Sequence, residues 1–263
     1  SLIVYLRNKR NLILGTICTA ATFALIFTSL AYVASKDKIF YEYFDDRINY
    51  DTQLFEKGPI EDEHLQEIRN LDYVKSADIL KYYNVTISNN NKEMDIVINA
   101  LDNKNDYIRI YDKDHNKIDY PKEGIILEEH IANELGLKKN DYVDINEVPF
   151  KIVDISFQSL GRVNYISYND SDKLESSFET VVLKMDKDKQ SDFIKKVSND
   201  EYYLYTVRYD NMRSYNKKEF DSYSIPAIII IIFAMIIGFI IILNINSYYL
   251  IDQKKRLLKW MKI

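Results

Sequence analysis

Two apolar runs without charge set the terms for this chain. Leu12 to Val33 and Ile225 to Leu243 contain no Asp, Glu, Lys or Arg. At about 1.5 Å per residue, helices of these lengths match a bilayer hydrocarbon core of roughly 30 Å. Core helices of soluble proteins rarely hold so long an apolar run. Pro226 falls in the first turn of the second run, where its missing N–H costs little. The pattern predicts a basic lead over 1–11, a first transmembrane helix over 12–34 and a folded segment over 35–224. A second transmembrane helix follows over 225–243, then a terminal segment over 244–263. A cleaved signal peptide is the competing reading of the first run, with Val33-Ala34-Ser35 as the cleavage site. The run is longer than a signal core of about 7–15 residues, which favours a span.

Charge orients the spans. Arg7, Lys9 and Arg10 precede the first, with no acid among them. Lys254, Lys255, Arg256, Lys259 and Lys262 follow the second, against Asp252 alone. The opposite flanks are mixed or acidic: Lys36-Asp37-Lys38 and Glu219-Phe220-Asp221. The positive-inside rule then places both ends in the cytoplasm and segment 35–224 outside. The net charge is −5 although both ends are basic, so the acidic excess lies in the middle. That distribution excludes nucleic acid as a partner, which needs a concentrated basic face. The single cysteine, Cys18, lies inside the first run, so no internal disulfide forms.

Small residues recur at four-residue spacing in both spans: Thr16, Ala20, Ala24 and Thr28 in the first, Ala234 and Gly238 in the second. In lipid, association depends on close packing, and small side chains let helix backbones approach. These six residues are therefore the expected packing positions.

The middle segment predicts a mixed α and β domain. Asp62 is the expected cap of a helix whose Leu65 and Ile68 share a face, with Leu71 and Val74 running into the core. Asn84 to Ile87 and Met94 to Ile98 read as strands joined by a turn over Ser88 to Lys92. Glu128 to Leu135 reads as a short helix stopped by a left-handed Gly136. Asn140 sits in the next turn, before strands Tyr142–Ile145 and Phe150–Ile155. Thr180 to Tyr209 reads as strand, helix and strand, the helix being Gln190 to Val197.

Chemistry is sparse. The six glycines form no phosphate loop, and no Gly-x-Ser-x-Gly elbow is present. His64, His115 and His130 lack metal-ligand spacing and read as surface residues. Asp45-Asp46 and Glu128-Glu129 read as solvated faces in so acidic a segment. No catalytic residue, metal or cofactor is expected. Tyr32, Tyr223, Tyr248 and Tyr249 lie near span ends, as interfacial aromatics do, and the other tyrosines read as packing. Beyond the second span, Leu257, Trp260 and Met261 fall at helical spacing among Lys255, Arg256, Lys259 and Lys262. Such a basic amphipathic helix either lies on the membrane or docks a partner.

Three stretches resemble the FtsX-like and MacB-like permeases of ABC transporters. Leu6 to Gly15 is similar to the family's basic lead into its first span. Gly124 to Val143, with its Leu135-Gly136-Leu137-Lys138 turn, resembles a stretch of the core domain. Gln253 to Ile263 resembles the basic segment between the second and third spans, without the acid usual there. Asn140 stands where the family often has Gly. The resemblance implies a MacB periplasmic-core-like α+β domain inserted between two transmembrane helices. It implies the membrane of a bacterial cell, a separate cytoplasmic ABC ATPase as partner, and a second permease copy or half. The ATPase would contact Arg7, Lys9, Arg10, Lys254, Lys255, Arg256, Leu257, Trp260 and Met261. On this view the sequence is a piece of a longer polypeptide, with a third and fourth span beyond Ile263. A peptide antibiotic, a lipoprotein and a lipid all remain open as substrate. A two-span sensor with an outer ligand-binding domain shares the layout and is the alternative.

Overall fold

The computed structural model describes residues 9–89, 92–174 and 178–260. They divide into two compact units, one drawn from the chain up to Lys38 and from Lys217 onward, the other from Ile39–Asn216. Helix α1 (Lys9–Tyr41) is followed directly by a π-helical turn, Glu42–Arg47. The chain then makes β1 (Thr52–Glu56), α2 (Asp62–Arg69) and the long β2 (Val74–Asn89). It returns through β3 (Lys92–Leu101) and a small hairpin of β4 (Ile110–Tyr111) and β5 (Lys117–Ile118). Next come β6 (Ile125–Glu128), α3 (Glu129–Leu135), β7 (Tyr142–Ile145), β8 (Val148–Ser156), β9 (Val163–Ile166) and α4 (Tyr168–Ser171). Then follow β10 (Phe178–Met185), α5 (Gln190–Val197), β11 (Tyr203–Arg208), α6 (Tyr209–Ser222) and α7 (Ser224–Trp260).

In the domain unit the strand order is β11-β1-β10-β2-β3-β9-β6-β8-β7. The first four strands pair antiparallel throughout. Two strand–helix–strand units, β1-α2-β2 and β10-α5-β11, interleave to build them, which is the ferredoxin-like arrangement. Everything from β3 to α4 is inserted between its halves. Strand β7 also pairs with β2, through Ile87↔Ile145 and Ser88↔Asp144. The six strands β2-β3-β9-β6-β8-β7 therefore close on themselves as a barrel, which leaves no open edge there.

Each half has its own core. Leu65 and Ile68 of α2 and Phe193 and Val197 of α5 cover Leu54, Val181 and Leu183. The barrel is filled by Ile87, Ile98, Ile125, Leu127, Ile145 and Ile152. A third cluster, including Leu80, Leu101, Tyr107, Ile110 and Val182, also draws on β2 and β10. Val181, Val182 and Leu183 are thus buried on both sides, which explains the unbroken apolar run.

Local signals account for several boundaries. Gly136 has φ +69° and ends α3, with the Leu137 N–H donating to the Ala132 carbonyl at 2.8 Å. Asn140 has φ +74° and donates its N–H to the Ile152 carbonyl. Asn89 pairs with Lys92 across the expected hairpin, whose residues 90–91 lie outside the described residues. Asp62 is not the cap of α2: that position belongs to Glu61, without a side-chain bond, and Asp62 lies in the first turn. Its charge there favours the helix N-terminus all the same. Glu128 is not on a solvated face either. It is fully buried, caps α3 and accepts from the His130 N–H at 2.9 Å and from its ring Nδ1 at 2.7 Å. Two acids in sequence gave no hint that the first ends a buried strand.

In the helical unit, burial follows a seven-residue repeat. Along α1 the covered positions are Gly15, Thr19, Thr22, Ile26, Ser29, Val33 and Lys36. Along α7 they are Ser224, Ala227, Ile231, Ala234, Gly238 and Ile241. The alternating steps of four and three are those of a coiled-coil seam. What faces outward is the reverse of a soluble helix pair. Ala234 is 2% exposed, while Phe27 and Phe239 are 67% and 62% exposed. Thr22 and Ser29 lie inside while most isoleucines and phenylalanines lie outside. An apolar exterior around a seam rich in small and hydroxyl side chains fits lipid and not water. The Thr19 and Thr22 hydroxyls donate to the carbonyls of Gly15 and Cys18, both at 2.8 Å, so neither is an unsatisfied group.

Candidate functional site

The domain unit takes in the last residues of α1 and the first residues of α6, and these meet. Phe40 and Phe44 stack at 4.6 Å between centroids. Tyr209, at the start of α6, lies 6.3 Å from Phe44 and 5.7 Å from Tyr50. The Tyr209 hydroxyl donates to the Phe44 carbonyl and its N–H to the Asp51 carbonyl. One turn on, Arg213 grips Asp45 with two bonds, Nη2 donating to Oδ2 at 2.7 Å and Nε to Oδ1. Its guanidinium also lies 5.3 Å from the Phe40 ring centroid. Bidentate pairing of this kind fixes orientation as well as distance.

The π-helical turn is tied to the inserted half from its other side. The Tyr111 hydroxyl donates to Asp46 Oδ1 at 2.9 Å, and His115 Nε2 is 3.1 Å from Asp46 Oδ2. Arg47 is buried, donates through Nη2 to the Phe157 carbonyl and lies 5.6 Å from the Tyr111 ring. The Ser159 hydroxyl donates to Glu42 at 2.5 Å. Segment 42–51 is therefore a joint: α6 holds it on one side, and β4 with the loop after β8 holds it on the other. Single π turns of this kind occur often at functional positions.

The polar groups of the joint are held by one another and by burial. Burial holds the Tyr50 hydroxyl well above the usual phenol range, and neighbouring tyrosines push the same way. Burial also pushes Tyr82 up to about 12, against the hydrogen bond from Gln53. Both stay neutral near pH 7. Asp45 and Asp46 are half-buried and engaged by Arg213, Tyr111 and His115, so they do not form a freely solvated face. His64 departs from the surface reading too, since its Nε2 is 2.8 Å from buried Glu56. Among the described residues no cluster of three metal-ligating side chains forms.

In the helical unit, four charges interlock at the Lys36 end of the seam. Lys36 Nζ donates to Asp221 at 2.6 Å and to Asp37 at 3.3 Å. Lys217 Nζ donates to Asp37 at 2.6 Å and to Asp221 at 3.1 Å. Each cation thus touches both anions, and the network joins α1 to α6.

The residues singled out in the sequence fall as follows. Ala234 and Gly238 lie on the seam, and a Cβ on Gly238 would stand 3.3 Å from Thr22 Cγ2. Thr16, Ala20, Ala24 and Thr28 are exposed and take no part in it. Each four-residue step advances about 40° around a helix, so such a stripe winds off any one seam within three steps. Lys9 and Arg10 lie in the first turn of α1. Lys254 is exposed on α7, and Lys255, Arg256, Leu257 and Trp260 continue that helix. Arg7 and Met261 lie outside the described residues. Sequence reasoning missed the joint, because Asp45 and Arg213 are 168 positions apart.

No family model matches the chain, and no curated protein matches it. Among solved structures it is similar to the periplasmic region of MacB from Actinobacillus actinomycetemcomitans. That match has 11% identity and a TM-score of 0.44 over 68% of this chain and 97% of that one. It is also similar to the extracellular domain of the noncanonic ABC-type transporter YknZ from Gram-positive bacteria. There the identity is 12% and the TM-score 0.43, over 61% of this chain and 99% of that one. Likeness of this degree leaves the function to be argued from the chain's own residues.

Proposed function

We propose that the chain is a membrane permease subunit of the FtsX/MacB type, moving an outer domain when a separate cytoplasmic ATPase hydrolyses ATP. One observation carries the reading: a single folded domain is bracketed by two helices whose exposed faces are apolar and whose shared seam is rich in small and polar residues. Supporting it, α1 and α6 each contribute residues to both units, so helical backbone runs into the joint from both sides of the domain. A helix keeps its hydrogen bonds when it tilts, which makes it a stiff transmitter. Residues 12–34 and 225–243 would lie in the membrane, both ends of the chain would be cytoplasmic, and 35–224 would lie outside. Lys9, Arg10 and the Lys254–Trp260 stretch would receive the ATPase. A peptide, a lipoprotein or a lipid would be the substrate, and a second permease copy or half would complete the assembly.

The test is copurification of ATP-hydrolysing activity with the tagged protein from its native membranes. Lys255→Glu with Arg256→Glu is expected to remove that activity while membrane insertion is kept. Retained activity in the double variant would remove the docking role. If the unaltered protein brings down no ATPase at all, the two-span sensor replaces the permease. Thiol labelling of a cysteine placed at exposed Tyr142 checks orientation, since reagent confined outside intact cells should reach it.

A further inference from the structure

Beside the joint, wholly within the domain unit, lies a cleft of about 450 Å³. That is within the range of small-molecule sites, roughly 300–1,000 Å³. Phe44, Tyr50 and Tyr209 supply aromatic walls. Its polar groups have an uneven set of partners. Gln190 is 1% exposed, and its Nε2 donates to the Asp51 carbonyl at 3.2 Å while Oε1 is buried with no partner. Asp51 accepts the Met185 N–H at one carboxylate oxygen, and it takes no ion pair among the described residues. Asn49 spends its Nδ2 on Asp106 at 2.7 Å, and its Oδ1 accepts nothing among the described residues. Two acceptors, the Asp51 carboxylate and Asn49 Oδ1, thus have capacity unspent in the lining of one aromatic-walled space, while Asp45 and Asp210, the other anions there, are paired with Arg213 and Arg208. A buried acceptor without a donor is costly, and Gln190 Oε1, closed off from solvent, is one such acceptor behind the lining.

The cations in the lining are mostly committed. Arg213 is paired with Asp45, and Lys184 donates to the carbonyls of Asn105 and Asp106. Lys187, exposed and without an ion pair among the described residues, is the loose positive charge at the rim. A free phosphate or carboxylate would meet one available cation and two acceptors, one of them an anion, which is a poor match. An ammonium group meets a carboxylate, an amide oxygen and aromatic faces, the set that holds organic cations.

We propose that this cleft binds a primary ammonium group, with Asp51 as counter-charge, Asn49 as oriented acceptor and Tyr50 and Tyr209 as walls. The assignment holds whether the chain transmits force or senses a ligand. A primary ammonium is carried both by free amines and by ethanolamine headgroups of lipids.

The experiment titrates the full chain in nanodiscs with cadaverine by calorimetry, using nanodiscs of phosphatidylcholine and of phosphatidylethanolamine. Saturable binding is expected in phosphatidylcholine. If the lipid headgroup is the occupant, phosphatidylethanolamine discs bind cadaverine at least about tenfold more weakly, about 1.4 kcal/mol. Equal binding in both discs assigns the site to soluble amines. Asp51→Asn is expected to weaken cadaverine at least about tenfold. Lys187→Glu, on an exposed side chain that folding does not need, is expected to strengthen it. Weaker binding in Lys187→Glu, or no saturable heat in phosphatidylcholine with the thermal transition intact, overturns the assignment.

Discussion

Cross-linking of the two long helices tests the seam directly. An ideal Cβ on Gly238 stands 3.3 Å from Thr22 Cγ2, and Thr22 is almost fully covered. A disulfide needs Cβ atoms about 3.5–4.5 Å apart. Cγ2 lies one bond, about 1.5 Å, beyond the Thr22 Cβ, so the two Cβ atoms fall at or near that window. With Cys18→Ser to remove the native thiol, Thr22→Cys with Gly238→Cys is expected to cross-link almost completely in membranes under a mild oxidant. Ala24→Cys with Gly238→Cys is the control, because Ala24 is exposed. The readout is a mobility shift reversed by reductant, scored in membranes and not in detergent. Gly238→Leu extends the argument. Its side chain would enter space held by Thr22, and overpacking of this kind costs about 1–3 kcal/mol. Combined with cysteines at Ile26 and Ala234, it should lower their cross-linking. Failure of the first pair, or equal yield from the Ala24 control, would refute the seven-residue seam.

Two further outcomes bear on the domain. Gly124 has φ +68°, and a Cβ there would lie 2.4 Å from the Lys151 carbonyl oxygen; Gly124→Ala should destabilise the fold by about 2–4 kcal/mol, read as a drop in urea midpoint at unchanged slope. Acid should also weaken the domain. Burial raises the Asp106 and Asp170 carboxyls, but Arg109 with Lys117, and Lys173 with the Gly124 N–H, outweigh it and leave both below the usual aspartate range. A depressed carboxyl stabilises above its unfolded value of about 3.9 and loses that contribution as pH falls through its folded value. The melting temperature should therefore hold at neutral pH and fall below about pH 4. Asp170→Asn should flatten that fall, and an unchanged acid limb would count against the assignment.

The parts legible in the sequence were those written locally. Gly136 and Asn140 adopt positive φ because the chain around them must turn at once, and glycine and asparagine are the residues that permit it. The β10-α5-β11 unit could be traced because one short stretch carries both periodicities. Its partner, β1-α2-β2, was half seen: the Leu65 and Ile68 face was plain, but Thr52–Glu56 is a short strand buried by pairing with β10 and β11 from far down the chain. Barrel closure depends on Ile87 meeting Ile145, which no local pattern specifies. The covered line of α1 differs from the stripe of small residues because residue size says nothing of its angle around the helix. Covered Ile26 and Val33 alternate with Thr22 and Ser29, so small size alone does not mark the line. The joint went unread because its polar pairs unite distant residues of ordinary type.

Strand β2, Val74–Asn89, has its own consequence. Its first half pairs with β10, Ile87 and Ser88 near its end pair with β7, and β3 runs alongside from Leu80 to Asn89. No loop separates the ferredoxin-like layer from the barrel along this strand, so the two halves share one uninterrupted beam. A displacement of either half is therefore passed to the other through one continuous hydrogen-bonded strand and not through a connecting loop.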